Sequence, residues 1–217
     1  MRLRNIPRAA EEVPKHPCVI QNETAMKGSW NKNVFQNDHP LHIEIGMGKG
    51  QFILALAKQN PDINYIGIER YTSVLLPGLE KFDTEEWNTL TNIRFICMDA
   101  ATLPEVFAPE EIDKIYLNFS DPWPKARHAK RRLTSTRFFS CYDQVLKHNG
   151  IVEFKTDNIA LFDFSLEQVV EAGYVLEKHT HNLHHDPYMN IGNIMTEYEA
   201  KFSALGNPIC KLIAKRK

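Results

Sequence analysis

Residues 118–132 read Asn-Phe-Ser-Asp-Pro-Trp-Pro-Lys-Ala-Arg-His-Ala-Lys-Arg-Arg, and the chemistry of the chain is densest here. An apolar run, Ile115-Tyr116-Leu117, stops and gives way to Asp121, Pro122, Trp123 and Pro124. The prolines fix φ and stiffen the turn, while the indole offers a flat face on which a base can stack. Lys125, Arg127, His128, Lys130, Arg131 and Arg132 follow within eight residues, with no acid between them. A plain alternative makes Trp123 a core plug, Asp121 a cap and the cations a solvated loop. Against it stands the local excess of positive charge in a chain whose net charge is −1. That excess points to phosphate contact. A strand ending in an acid and an aromatic wall, then a basic loop, predicts chemistry on a nucleic acid.

A second constellation lies upstream. Glu44-Ile45-Gly46-Met47-Gly48-Lys49-Gly50 closes a strand and opens a helix. Glycines there let the backbone approach a ligand and leave helix N-terminal N–H groups free. The dinucleotide fingerprint asks for a further glycine where this chain has Gln51. The pattern is G-x-G-x-G, which resembles the nucleoside-binding turn of S-adenosylmethionine-dependent methyltransferases. Glu69, 19 residues after Gly50, ends the next strand, where a carboxylate can accept both ribose hydroxyls. Asp99 ends the third, where a side chain can meet an adenine amino group. Taken singly, a glycine turn is a tight turn and a strand-end acid a helix cap; the conjunction at three strand ends predicts a nucleoside-type cofactor.

The elements that must carry these groups follow from periodicity. Short apolar runs at His42–Gly46, Tyr65–Glu69, Ile93–Met98, Lys114–Phe119 and Ile151–Thr156 alternate with helix-length amphipathic segments, as in a parallel sheet wrapped by helices. Gln51–Gln59 places Phe52, Ile53, Leu56 and Ala57 on one helical face. Thr134 is expected to cap a helix burying Phe138, Tyr142, Val145 and Leu146 and ending at Asn149-Gly150. Another helix is expected over Ile159–Ala172. Two late strands, near Tyr174–His181 and Glu197–Leu205, read as an antiparallel edge hairpin. The expectation is an α/β, Rossmann-like, mostly parallel seven-stranded sheet with helices on both faces. Residues 1–40, with Pro7, Pro14, Pro17, Arg2, Arg4, Arg8 and Lys15, read as a mobile, basic, largely irregular arm. Residues 41–217 read as one domain.

Bulk properties narrow the class. A chain of 217 residues, 43% hydrophobic, suits one substantial α/β domain. Four scattered cysteines without a C-x-x-C pair fit reduced thiols in a cytoplasmic protein. No apolar stretch has membrane-spanning length, and no secretory signal opens the chain. His179 and His181 share a strand face near His184 and His185, but no third ligand stands in an obvious position, so no metal is expected. The terminal Lys215-Arg216-Lys217 reads as a frayed tail.

Three motifs are more specific than the glycine turn. Phe119-Ser-Asp-Pro-Trp-Pro-Lys125 with its basic run, Phe154-Lys-Thr-Asp-Asn158, and Thr196-Glu-Tyr-Glu199 together resemble bacterial tRNA (guanine-N7-)-methyltransferases. The resemblance spans residues 41 to about 205, with a weaker echo in Arg2-Leu3-Arg4. It implies a class I methyltransferase fold, S-adenosyl-L-methionine as cofactor, tRNA as partner, and methylation of guanine N7 at position 46 of the variable loop. By matching position it implies that Glu44, Gly46, Gly48, Gly50, Glu69, Asp99 and Asp121 line the cofactor site. Lys125, Asp157, Thr196, Glu197, Tyr198 and Glu199 would hold the guanine. Arg127, His128, Ala129, Lys130, Arg131 and Arg132 would contact RNA. N7 carries a lone pair and no proton, so no general base is required; Asp121 is the candidate catalytic carboxylate, supported by Asp157 and Glu199. Met47 stands where the family usually has Ser, and Ala126 and Ala129 interrupt a run that is often more polar. A monomer or homodimer is expected. Competing readings are an amino-group methyltransferase, a non-catalytic RNA-binding module and an NAD-dependent oxidoreductase.

Overall fold

A computed structural model describes residues 5–217; Arg2 and Arg4 lie outside the described residues. The chain divides into two compact units, the first ending at Ala108 and the second running from Pro109 to Lys217.

In the first unit, α1 (Ala9–Glu12) precedes β1 (Leu41–Ile45), α2 (Gln51–Gln59), β2 (Asn64–Glu69), α3 (Thr72–Phe82), β3 (Ile93–Cys97) and α4 (Leu103–Val106). The strands run parallel in the order β3-β2-β1, with Ile43 opposite Ile66 and Ile68 opposite Ile96. These isoleucines are buried, as expected for strands covered on both faces. Helix α2 buries Phe52, Ile53, Leu54 and Ala57. Helix α3 has no counterpart in the periodicity reading, because Pro77-Gly78 in its interior looks like a break.

The described part of the N-terminal segment packs against the rest of the first unit. The Ile6 amide donates to Ser73 Oγ at 3.0 Å. Val19 bridges Phe95 in parallel, and the Ile20 amide donates to the Phe95 carbonyl at 2.9 Å. Trp30 is fully buried, stacked on Phe107, with its indole N–H on the Val106 carbonyl at 3.0 Å. Asn64 donates to Asn31 Oδ1 and Asn37 Oδ1 at 2.9 and 2.7 Å. Burial of one indole and closure of this carboxamide cluster offset the entropy of ordering the segment.

In the second unit, β4 (Ile112–Asn118) leads to α5 (Thr136–Tyr142), β5 (Leu146–Thr156), α6 (Ile159–Glu171), β6 (Val175–Thr180), α7 (Glu197–Ser203) and β7 (Cys210–Lys215). Strand order is β4-β5-β7-β6, with β4 and β5 parallel and β7 antiparallel to both neighbours. The seven strands thus make the mostly parallel mixed sheet with an antiparallel edge pair that alternation predicted.

Three local expectations are corrected here. Glu197–Leu205 is no strand: Glu197–Ser203 is helical, and the partner of β6 is Cys210–Lys215. The Thr196 hydroxyl caps α7, accepting the Glu199 amide at 2.9 Å, a stabilising N-cap. Thr134 caps nothing; its hydroxyl meets Ser165 Oγ at 2.6 Å in the interior, and α5 ends at Tyr142. Lys215 is paired with Ile151 and Val175, and the Arg216 amide donates to the Gly150 carbonyl at 2.9 Å, so this end is docked, not frayed.

Candidate functional site

The predicted cofactor residues of the first unit gather at the carboxyl ends of its strands. Gly46, Gly48 and Gly50 have φ of 76°, 57° and 75°, a left-handed path that side chains rarely adopt. Gly50 opens α2. A Cβ added at Gly46 or Gly48 would meet nothing within 4 Å, so open space lies over the turn. Glu69 ties the turn to the end of β2: Oε2 accepts the Gly48 amide at 3.2 Å and Oε1 the Arg70 amide at 2.8 Å. Oε1 also accepts the Tyr71 amide at 3.3 Å, so three backbone donors fix this carboxylate beside the turn. Glu44 is buried in β1. Asp99 is itself a cap, with Oδ1 accepting the Ala101 amide at 2.9 Å and Oδ2 lying 3.3 Å from Arg70 Nε.

In the second unit, Asp121 is exposed just past the end of β4. Trp123 has a φ of 41°, an outlying conformation for a bulky residue. Arg132 holds this turn, donating from Nε to the Pro122 carbonyl at 3.0 Å and from Nη2 to the Trp123 carbonyl at 3.1 Å. Arg131 lies over the Trp123 ring at 4.9 Å, and His128 meets its edge. Lys125, Arg127 and Lys130 are exposed and Ala129 is half-buried, all on or beside the short turn Ala126–Arg131.

Asp157 follows β5 and is half-buried. The Tyr198 hydroxyl donates to Asp157 Oδ2 at 3.4 Å, and the Tyr198 ring stacks on Phe202 and tilts against Phe119. Thr196 and Tyr198 are half-buried, Glu197 is exposed, and Glu199 is wholly buried. Glu199 Oε2 pairs with Lys155 Nζ at 2.6 Å, and Oε1 accepts from His184 Nε2 and Asn193 Nδ2 at 2.9 and 2.8 Å. Burial alone would raise this carboxyl; Lys155, His184 and Asn193 outweigh it and hold the group below the ordinary carboxylate range.

Comparison with known proteins adds the following. A family profile described as "Putative methyltransferase" matches residues 38–212. A tRNA (guanine-N(7)-)-methyltransferase of Lachnoclostridium phytofermentans is 56% identical over 100% of this chain and 99% of its own length. One of Bacillus subtilis is 49% identical over 96% of both chains. The chain belongs to the tRNA (guanine-N(7)-)-methyltransferase family. Among solved structures, a 16S rRNA methyltransferase, KamB, superposes with a TM-score of 0.66 at 10% identity, covering 88% of this chain and 94% of that one. An antibiotic-related methyltransferase gives 0.61 at 19% identity, covering 85% and 90%. These likenesses show a class I methyltransferase fold.

In this family member three features escaped the sequence reading. Met47 does more than present its backbone: it is 5% exposed, and its side chain fills a slot. A Cβ on Gly67 would lie 2.3 Å from Met47 Sδ, and one on Gly78 would lie 3.0 Å from Met47 Cε. Gly78 also lets α3 approach the backbone of Lys49 and Gly48. Lys155, inside the Phe-Lys-Thr-Asp-Asn motif, is fully buried. Arg132 acts on its own loop. The Thr-x-x-Glu spacing at 196–199 was a readable helix-start signal; nothing local marks the other features.

Two histidines of the late cluster have partners, and burial raises all four thiols. His181 Nε2 lies 3.0 Å from Asp163 and His185 Nδ1 lies 3.0 Å from Asn182. Burial pushes Cys210 up to about 11 and raises Cys18, Cys97 and Cys141, so none is tuned as a nucleophile. Among the described residues, no group of three or more His, Cys, Asp or Glu side chains could hold a metal, and no helix is long and apolar enough to cross a membrane.

Proposed function

We propose that this chain methylates N7 of the guanine at position 46 in the variable loop of tRNA, with S-adenosylmethionine as methyl donor. The observation that carries the reading is identity of 49–56% over essentially the whole length to relatives named for guanine-N7 methylation of tRNA. The residues fit the cofactor: space lies open over Gly46 and Gly48, and the Glu69 carboxylate is tied to that turn through the Gly48 amide.

When bound, the cofactor supplies an electrophilic methyl group on a sulfonium. Glu69 would orient the ribose and Asp99 would meet the adenine amino group. Because guanine N7 has no proton, no side chain acts as base. Asp121 and Asp157 stabilise the positive charge that the purine acquires, and Lys125 with Thr196–Tyr198 holds the base in line. Arg127 and Lys130 neutralise phosphates.

Incubation of the protein with unmodified tRNA and methyl-labelled cofactor, followed by nucleoside mapping, tests this. The expected product is N7-methylguanosine at position 46. Label in an exocyclic amine would move the chain to the amino-methylating class.

A further inference from the structure

Lys155 is the penultimate residue of β5 and has no solvent exposure. A buried ammonium is costly unless each N–H is paired. Its three donors have three acceptors: Glu199 Oε2 at 2.6 Å, the Ile194 carbonyl at 2.9 Å and Asn193 Oδ1 at 3.2 Å. Asn193 closes the ring by donating to Glu199 Oε1 at 2.8 Å, where His184 also lies 2.9 Å away. Two segments meet at this ion pair. Asp157 stands two residues beyond Lys155, Tyr198 immediately before Glu199, and the two are joined by the hydroxyl–carboxylate contact of 3.4 Å.

We propose that Lys155 is a positioning residue of the guanine site: it anchors Asn193, Ile194 and Glu199, fixing the Thr196–Tyr198 segment opposite Asp157. Glu199 then serves the site through this anchor and does not touch the base. The inference rests on the reading of Asp157 and Thr196–Tyr198 as guanine-holding residues. Both Glu199 oxygens are occupied by protein donors, and the side chain has no exposed surface, which suits an anchor and not a ligand contact. An apolar pair of similar volume can match a buried ion pair in stability, but it cannot fix three separate chain points by directional bonds.

Three variants of the full chain test this: Asn193→Ala, Lys155→Met, and Lys155→Met combined with Glu199→Leu. Each is assayed for thermal unfolding, calorimetric affinity for S-adenosylmethionine, and single-turnover methylation of unmodified tRNA. Cofactor affinity should stay within about twofold throughout, since the glycine turn lies in the other unit. Methylation should slow about tenfold in Asn193→Ala and about a hundredfold in Lys155→Met. The double variant should regain the melting temperature of the parent while methylating as slowly as Lys155→Met. Parent-like methylation by the double variant, or by Asn193→Ala alone if the charge variants do not fold, would overturn the proposal. Failure of the parent chain to form N7-methylguanosine would instead sink the underlying functional reading.

Discussion

Met47 occupies a slot cut by glycines from two other elements, Gly67 in β2 and Gly78 in α3, directly beneath the Gly46–Gly50 turn. A methyl group on Gly67 cannot coexist with Met47 Sδ at 2.3 Å, so one of them must move. Because Met47 belongs to the turn, expelling its side chain displaces the backbone expected to cradle the cofactor. Gly67→Ala should therefore weaken S-adenosylmethionine binding about tenfold by calorimetry. Adding Met47→Ser to the same chain should restore most of that affinity by vacating the slot. Met47→Ser alone should leave a cavity and cost about 3 kcal/mol in denaturant unfolding. Unchanged cofactor affinity in Gly67→Ala would detach the slot from the turn.

At the scale of elements, the basic loop after β4 is divided between two tasks that its sequence does not separate. Arg132 spends its guanidinium on the Pro122 and Trp123 carbonyls and lies over Phe164 at 4.2 Å. It thereby holds the left-handed Trp123, a conformation that persists only where its surroundings enforce it. Lys125, Arg127 and Lys130 remain exposed. Filter binding of tRNA across a salt series separates the two roles. Arg127→Ala and Lys130→Ala should each reduce the slope of log affinity against log salt by about 1. Arg132→Ala should leave the slope intact and lower the methylation rate. An equal loss of slope in Arg132→Ala would put that side chain on a phosphate. Helix α7 teaches a different lesson about elements. Its Thr-x-x-Glu start was legible, yet the aromatic and charged residues after it also suit an edge strand. The N-cap and the tie to Lys155 decide for the helix.

Across the whole molecule, net charge is −1, so acid stability rests on individual buried carboxylates. Glu153 sits between Lys114 and Lys211, each at 2.8 Å. Burial would raise its carboxyl, but the two ammonium groups outweigh that and hold it below the ordinary value of 4.5. A carboxyl lower in the folded than in the unfolded chain stabilises fully above the unfolded value and loses that contribution as pH falls through the folded one. Glu199 acts with the same sign. The melting temperature should thus decline as pH drops below about 4.5. Glu153→Gln should cost about 3 kcal/mol at neutral pH and flatten that decline; an unaltered acid profile would show that other groups govern it.

The sequence alone determined what local chemistry can encode. The strands β1 to β5 were legible because β-branched runs alternate with helical periods. The glycine turn, the strand-end acids and the basic loop were legible because each is written in a few adjacent residues. Tertiary structure alone decided which charges leave water. Lys155 and Glu199 lie 44 residues apart and each looks like an ordinary surface charge in its own neighbourhood. Their burial, the Met47 slot and the docking of Trp30 depend on surfaces brought together from distant parts of the chain. Desolvation and packing act on that assembled environment, and no window of sequence contains it.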